Sequence, residues 1–99
     1  MLRSDAQRWI RAARELHVEG RQLVYSALAS PLQARRDLLR QAAEKWFIAA
    51  DALEAANRWR SAEVVRHWAT IADRGYAQDL AAVVANMFRV QHNGGVTRI

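Results

Sequence analysis

One stretch decides the fold: residues 32–56, which read LQARRDLLRQAAEKWFIAADALEAA. Large apolar side chains recur in it every seventh residue, and alanines stand three places after the last three of them. This spacing lines large and small apolar groups along one side of a helix of about seven turns. The residues are Leu32, Leu39, Trp46 and Leu53, with Ala42, Ala49 and Ala56. We name them the spine and predict that they form the buried side of a central helix.

A first helix is predicted before the spine. Ser4 and Gln7 have the spacing of a capping box, which places the start of this helix, and its end is predicted near Ala29. Ser30 is predicted to cap the central helix, with Pro31 at its first position. Apolar residues at steps of three and four form a seam for packing against another helix, namely Trp9, Ala13, Leu16, Gly20, Leu23 and Ala27. Gly20 indicates either a close helix approach or a tolerated glycine.

Two more helices are predicted after the spine. Continuing the sevenfold repeat past Leu53 would bring Arg60 and His67 into the core, and Asn57 tolerates the left-handed conformation, so a turn is expected there. A third helix is expected over residues 59–74, ending at Gly75. Its predicted inner face consists of Ala62, Val65, Ala69 and Ala72. A fourth helix is expected over residues 77–91. The chain is then one helical domain, residues 1–92, with a flexible tail, residues 93–99. The predicted class is all-α, either a four-helix antiparallel bundle or an array of helical hairpins.

Composition limits the classes of protein. The 99 residues are enough for one domain, and the single proline and abundant alanine favour helix over sheet. Cysteine is absent, which excludes disulfides, thiol catalysis and thiolate zinc sites. No apolar segment is long enough for a signal peptide or a membrane span, so a cytoplasmic location is expected. The net charge is +5, and all basic residues except Lys45 are arginines.

Residues 46–74 resemble a single helical hairpin of the tetratricopeptide type, a unit also used in the related α-SNAP-like arrays. Large residues, small residues and a short turn carry the resemblance: Trp46, Ala50, Leu53, Asn57, Trp59, Ala62 and Ala69. It implies a helix-hairpin scaffold that binds a peptide along the inner side of its first helix. In this chain that side carries Glu44, Phe47, Asp51 and Glu54, an acidic surface suited to a basic, amphipathic partner. An ordinary solvated helix face is the alternative for these four residues.

The favoured function is therefore a non-catalytic protein-interaction or adaptor module that self-associates or docks on a larger partner. Trp59 and Trp68 are further candidates for the partner surface, with core packing as their alternative role. A second hypothesis is a small regulator that binds nucleic acid through arginines on one arc of the first helix: Arg3, Arg8, Arg11, Arg14 and Arg21.

Enzymatic chemistry has little support in the sequence. Arg60 with His67, and Arg11 with His17, resemble the arginine–histidine pattern of HEPN-type ribonucleases, which gives a third hypothesis. His67 has Glu63 one turn away, but no third metal ligand is indicated. We expect no catalytic residue, metal, cofactor or small-molecule substrate.

Overall fold

A computed structural model describes residues 3–75, which form three α-helices. These are α1 (Arg3–Leu28), α2 (Leu32–Ala55) and α3 (Trp59–Arg74). No strand occurs among these residues, so the all-α class is confirmed for this part of the chain. The predicted fourth helix and the tail lie outside the described residues.

The helix α2 lies between α1 and α3, as predicted, and it packs against both. The helices are joined by connections of three residues each, 29–31 and 56–58. Connections this short make neighbouring helices antiparallel. Contacts confirm the antiparallel order of α1 and α2, because residues late in α1 meet residues early in α2. Arg35 of α2 donates a hydrogen bond to the carbonyl of Ala27 at 3.1 Å, while Lys45 meets Glu19 at 3.4 Å.

The spine is buried as predicted except at its first residue. Leu39, Trp46 and Leu53 are at most 2% exposed, and the three spine alanines are also buried. Leu32 is 79% exposed, so its assignment to the core was wrong. Leu32 is the first residue of α2, and α1 ends at Leu28. Because α1 does not extend beyond the start of α2, it does not cover Leu32.

The seam of α1 is partly correct. Ala13, Gly20 and Ala27 are buried, whereas Trp9 is 43% exposed and its assignment to the core was wrong. Val24, which lies outside the predicted seam, is fully buried. Spacing fixes the direction of a side chain around a helix, but a neighbouring element decides whether a large ring is covered. Leu16 and Leu23 of the seam are partly buried and pack against the core.

Gly20 marks a close approach of α1 to α2, which was one of its two interpretations. A Cβ built on Gly20 would lie 2.7 Å from Cε2 and 2.8 Å from Cδ1 of Trp46. The indole Nε1–H of Trp46 donates a hydrogen bond to the backbone carbonyl of His17 at 3.3 Å. The missing side chain of Gly20 thus makes the space in which the pyrrole edge of the indole approaches α1.

Three aromatic rings join the helices, one from each. The ring of Trp68 on α3 stacks on the imidazole of His17 with centroids 5.3 Å apart, and it meets the Trp46 ring at 5.8 Å. Trp46 and Trp68 are at most 1% exposed. We name His17, Trp46 and Trp68 the aromatic cluster. This cluster brings a ring of α1 into direct contact with a ring of α3. The predicted inner face of α3 is buried as well, through its alanines and Val65.

The turn after α2 and the end of α3 follow the predictions. Asn57 has φ +61°. The amide of Arg58 donates a hydrogen bond to the carbonyl of Leu53, five residues earlier, at 2.8 Å, which is typical of a Schellman motif. Gly75 ends α3 with φ +66°.

The capping predictions were wrong. Ser4 lies inside α1, which already includes Arg3. The hydroxyl of Ser30 donates backwards to the carbonyl of Ser26 at 2.7 Å, and Pro31 occupies the N-cap position of α2 without a side-chain cap. The last carbonyls of a helix have no partner within it, and the hydroxyl of Ser30, which follows α1 directly, binds one of them instead of an amide of α2.

Candidate functional site

A basic cleft of about 480 Å³ opens where the first half of α1 meets the turn between α2 and α3. Its lining comes from α1, the last turns of α2, the turn itself and the first turn of α3. The lining residues are Gln7, Ile10, Arg11, Arg14, Leu53, Arg58 and Ser61. We call this hollow the basic cleft.

The antiparallel order of the helices creates the basic cleft. The beginning of α1, the end of α2 and the beginning of α3 all lie at the same end of the molecule. Asn57 adopts a left-handed conformation, which turns the chain sharply at this end and places Arg58 beside Arg11 and Arg14 as part of one lining. Residues that are more than 40 positions apart in the sequence thereby share one hollow.

The basic cleft is strongly positive. Of the seven lining residues that belong to the described part of the chain, three are arginines and none is an aspartate or glutamate. Arg58 is also the N-cap residue of α3 and makes no side-chain capping bond. The first backbone amides of α3 therefore add partial positive charge next to Ser61. A hollow with this lining favours anionic groups over neutral or cationic ones.

The structure divides the predicted arginine arc of α1. Arg11 and Arg14 line the basic cleft, whereas Arg8 is exposed outside its lining, and the side chain of Arg3 lies outside the described residues. Arg21 is half-buried beside His17. Sequence reasoning did not include Arg58, although its place directly after the predicted turn was the available signal.

The predicted acidic partner surface on α2 is largely engaged within the chain. The guanidinium of Arg66 on α3 forms an ion pair with Glu54 and a second with Asp51 at 3.1 Å. The bond to Glu54 is the main reason why the pKa of Arg66 is raised. Phe47 is partly buried and packs against the core, and Glu44 is exposed. Arg66 thus offsets part of the negative charge at the Asp51–Glu54 end of this surface, which weakens its attraction for a basic partner.

The two tryptophans proposed for a partner surface have opposite surroundings. Trp59, the first residue of α3, is 60% exposed and available for contact. Trp68 is 1% exposed inside the aromatic cluster, so its assignment to a partner surface was wrong. Its neighbour in sequence, His67, is exposed instead, because consecutive residues point in different directions around a helix.

His17 is held in its neutral form. Burial, with a smaller contribution from the charge of Arg21, lowers the pKa of His17 to about 4. Its Nδ1 atom is buried and has no hydrogen-bond partner. Because the His17 ring stacks on Trp68, it contributes to core packing. Of the two arginine–histidine pairs considered for a ribonuclease, Arg60 with His67 is therefore the one in which both residues are exposed.

Other surfaces of residues 3–75 offer less. A shallower hollow of about 390 Å³ contains the Glu19–Lys45 ion pair, so its charge is balanced. In the described helices, no group of three acidic or histidine side chains has a geometry that could hold a metal ion. Nor does any helix in this part of the chain have the length and apolar character needed to cross a bilayer.

Comparisons of the chain with family models, curated proteins and solved structures gave no match. The residues of the basic cleft are therefore the basis on which we infer a function.

Proposed function

We propose that this chain is a non-catalytic helical interaction module that docks on a protein partner through the basic cleft. The single observation that carries the proposal is the convergence of Arg11, Arg14 and Arg58 around one concave hollow with an apolar floor. Arginine is enriched at protein interfaces, and a preformed hollow lowers the cost of ordering on binding.

We also propose that a fourth helix over residues 77–91 extends the three helices into an antiparallel bundle or a tetratricopeptide-like array. Support for the second arrangement comes from the α2–α3 hairpin, in which Ala50, Ala62 and Ala69 are fully buried where two helices approach. The turn at Asn57 adds to this support, since it is as short as the resemblance implies.

Nucleic-acid binding is the second candidate function. The same three arginines favour it, because a phosphate is as good a partner for a guanidinium as a carboxylate. Self-association is the other form of the first hypothesis, and apolar side chains that remain exposed support it, among them Ile48 and Trp59.

The test of the proposal compares the parent chain with a cleft variant, Arg11→Glu with Arg58→Glu. The control is Arg36→Glu with Arg40→Glu, which makes the same change of charge at two exposed positions of α2. Light scattering measures the mass of each protein in solution, and affinity capture followed by mass spectrometry identifies what accompanies it.

We expect the parent and the control to share an assembly state or a companion that the cleft variant lacks. Monomeric behaviour of all three proteins, without any companion, would refute the proposal. A companion retained by the cleft variant would show that the chain interacts through another surface.

A further inference from the structure

We infer that the basic cleft takes an acidic peptide segment in which carboxylates flank one apolar side chain. This inference rests on the proposed function, since it names the ligand of the same hollow. Three features of the described residues lead to it: the charge of the lining, the chemistry of the floor and the interruption of the positive arc on α1.

The charge of the lining selects carboxylates. Arg11 comes from α1 and Arg58 from the turn, so an extended ligand between them meets a guanidinium from each of two elements. A guanidinium binds a carboxylate through two parallel N–H···O bonds, and each charge-assisted bond is about twice as strong as a neutral one. None of the lining residues between positions 3 and 75 is acidic, so a ligand carboxylate meets Arg11 and Arg58 without a competing carboxylate from that lining.

The floor selects an apolar side chain between the carboxylates. The floor is formed by Ile10 of α1 and Leu53 of α2. Leu53 is only 1% exposed and is fixed by the packing of the core, so the aliphatic surface that a ligand can cover comes from the partly exposed Ile10. A leucine-sized side chain that covers this floor gains about 25 cal/mol for every Å² of apolar surface removed from water.

The positive arc of α1 is not a continuous track for a phosphate backbone. Glu15 is exposed one turn after Arg11, Glu19 forms an ion pair with Lys45, and Arg21 is half-buried. Tight nucleic-acid binding needs many basic contacts spread along the charged backbone. Arginines grouped around an apolar hollow suit a short peptide better, and an oligonucleotide serves as the competing probe in the test.

The experiment measures fluorescence anisotropy of labelled probes titrated with the full 99-residue chain. The main probe is a short peptide of aspartates and glutamates around one central leucine. Three companion probes are the same peptide with alanine for leucine, its neutral asparagine and glutamine counterpart, and a single-stranded oligonucleotide of equal charge. The proteins are the parent, Arg11→Gln with Arg58→Gln, and the control Arg36→Gln with Arg40→Gln, each shown to be folded by circular dichroism.

We expect saturable binding of the acidic leucine peptide to the parent and the control. The cleft variant should bind it at least about tenfold more weakly, since a charge-assisted bond to each arginine is lost. The alanine peptide should bind several-fold more weakly than the leucine peptide, and the neutral peptide should not bind.

Three results would overturn the inference: no binding of the acidic peptide, equal binding by the cleft variant, or tighter cleft-dependent binding of the oligonucleotide. The two proposals can fail separately. If a captured companion depends on the cleft arginines while the acidic peptide does not bind, the ligand is wrong and the interaction module stands. If neither the companion nor any probe depends on those arginines, both proposals fail.

Discussion

Replacement of Gly20 by alanine tests the packing of α1 on α2 most directly. In an exposed helix this change stabilises by about 1 kcal/mol, because glycine loses more backbone entropy on folding. In this structure the new methyl group would lie 2.7 Å and 2.8 Å from two indole carbons of Trp46. Carbon atoms normally pack about 3.5–4.0 Å apart, so α1 has to move away or the indole has to rotate.

Either movement costs more than the gain in helix propensity. Overpacking costs about 1–3 kcal/mol, and rotation of the indole also breaks its hydrogen bond to His17, worth about 1 kcal/mol. After subtraction of the propensity gain, we expect Gly20→Ala to lower the free energy of unfolding by about 2 kcal/mol. For a domain of this size the melting temperature should fall by about 8–16 °C.

The assay is urea and thermal unfolding followed by circular dichroism, with two comparisons. Gly75→Ala places a methyl group at φ +66° with no atom of residues 3–73 within 4 Å, so its cost of about 1 kcal/mol comes from the backbone. In a Trp46→Phe background the smaller ring leaves room, and the cost of Gly20→Ala should shrink by about 1 kcal/mol or more. A Gly20→Ala protein as stable as the parent, or an unchanged cost beside Phe, would refute the close approach.

Three further predictions follow from the aromatic cluster, the α2–α3 ion pairs and the turn. The folded pKa of His17, about 4, lies below its unfolded value near 6.5, so its neutral form stabilises the fold above pH 6.5 and that stability is lost as the pH falls towards 4. At pH 4 the loss in free energy of unfolding is about 3 kcal/mol. Urea midpoints measured from about pH 7.5 to 4 should show this loss in the parent but not in His17→Gln. If His17→Gln kept the full pH dependence, the assignment to His17 would be contradicted. Arg66→Met should lower the free energy of unfolding by about 1 kcal/mol in low salt and by less in high salt, because salt screens its ion pairs with α2. An identical loss in both would mean that these ion pairs contribute nothing to stability. Asn57→Gly should preserve or slightly raise the melting temperature while Asn57→Ala lowers it, because φ is +61° there; the reverse order would refute a left-handed turn.

Sequence periodicity was sufficient to predict the three described helices and the central position of α2. The helical spacing of Leu39, Trp46 and Leu53 predicted that their side of α2 is covered by other helices. The turn at Asn57 was predicted because polar residues would otherwise enter the core. The buried face of α3 followed from the same reasoning. Periodicity carries this information because it reports the direction of each side chain around its own helix.

Packing between the helices sets which apolar residues are covered and where charged side chains gather, and periodicity does not report it. Leu32 and Trp9 fit the helical pattern but remain exposed, because coverage depends on where the neighbouring helix ends. Arg66 pairs with Asp51 and Glu54 of the acidic surface, and Arg58 joins two arginines of α1 in the basic cleft, since antiparallel packing brings distant positions together. A local pattern fixes orientation within one helix, whereas a binding site depends on contacts between helices, which are set by register and by the space that Gly20 leaves for Trp46.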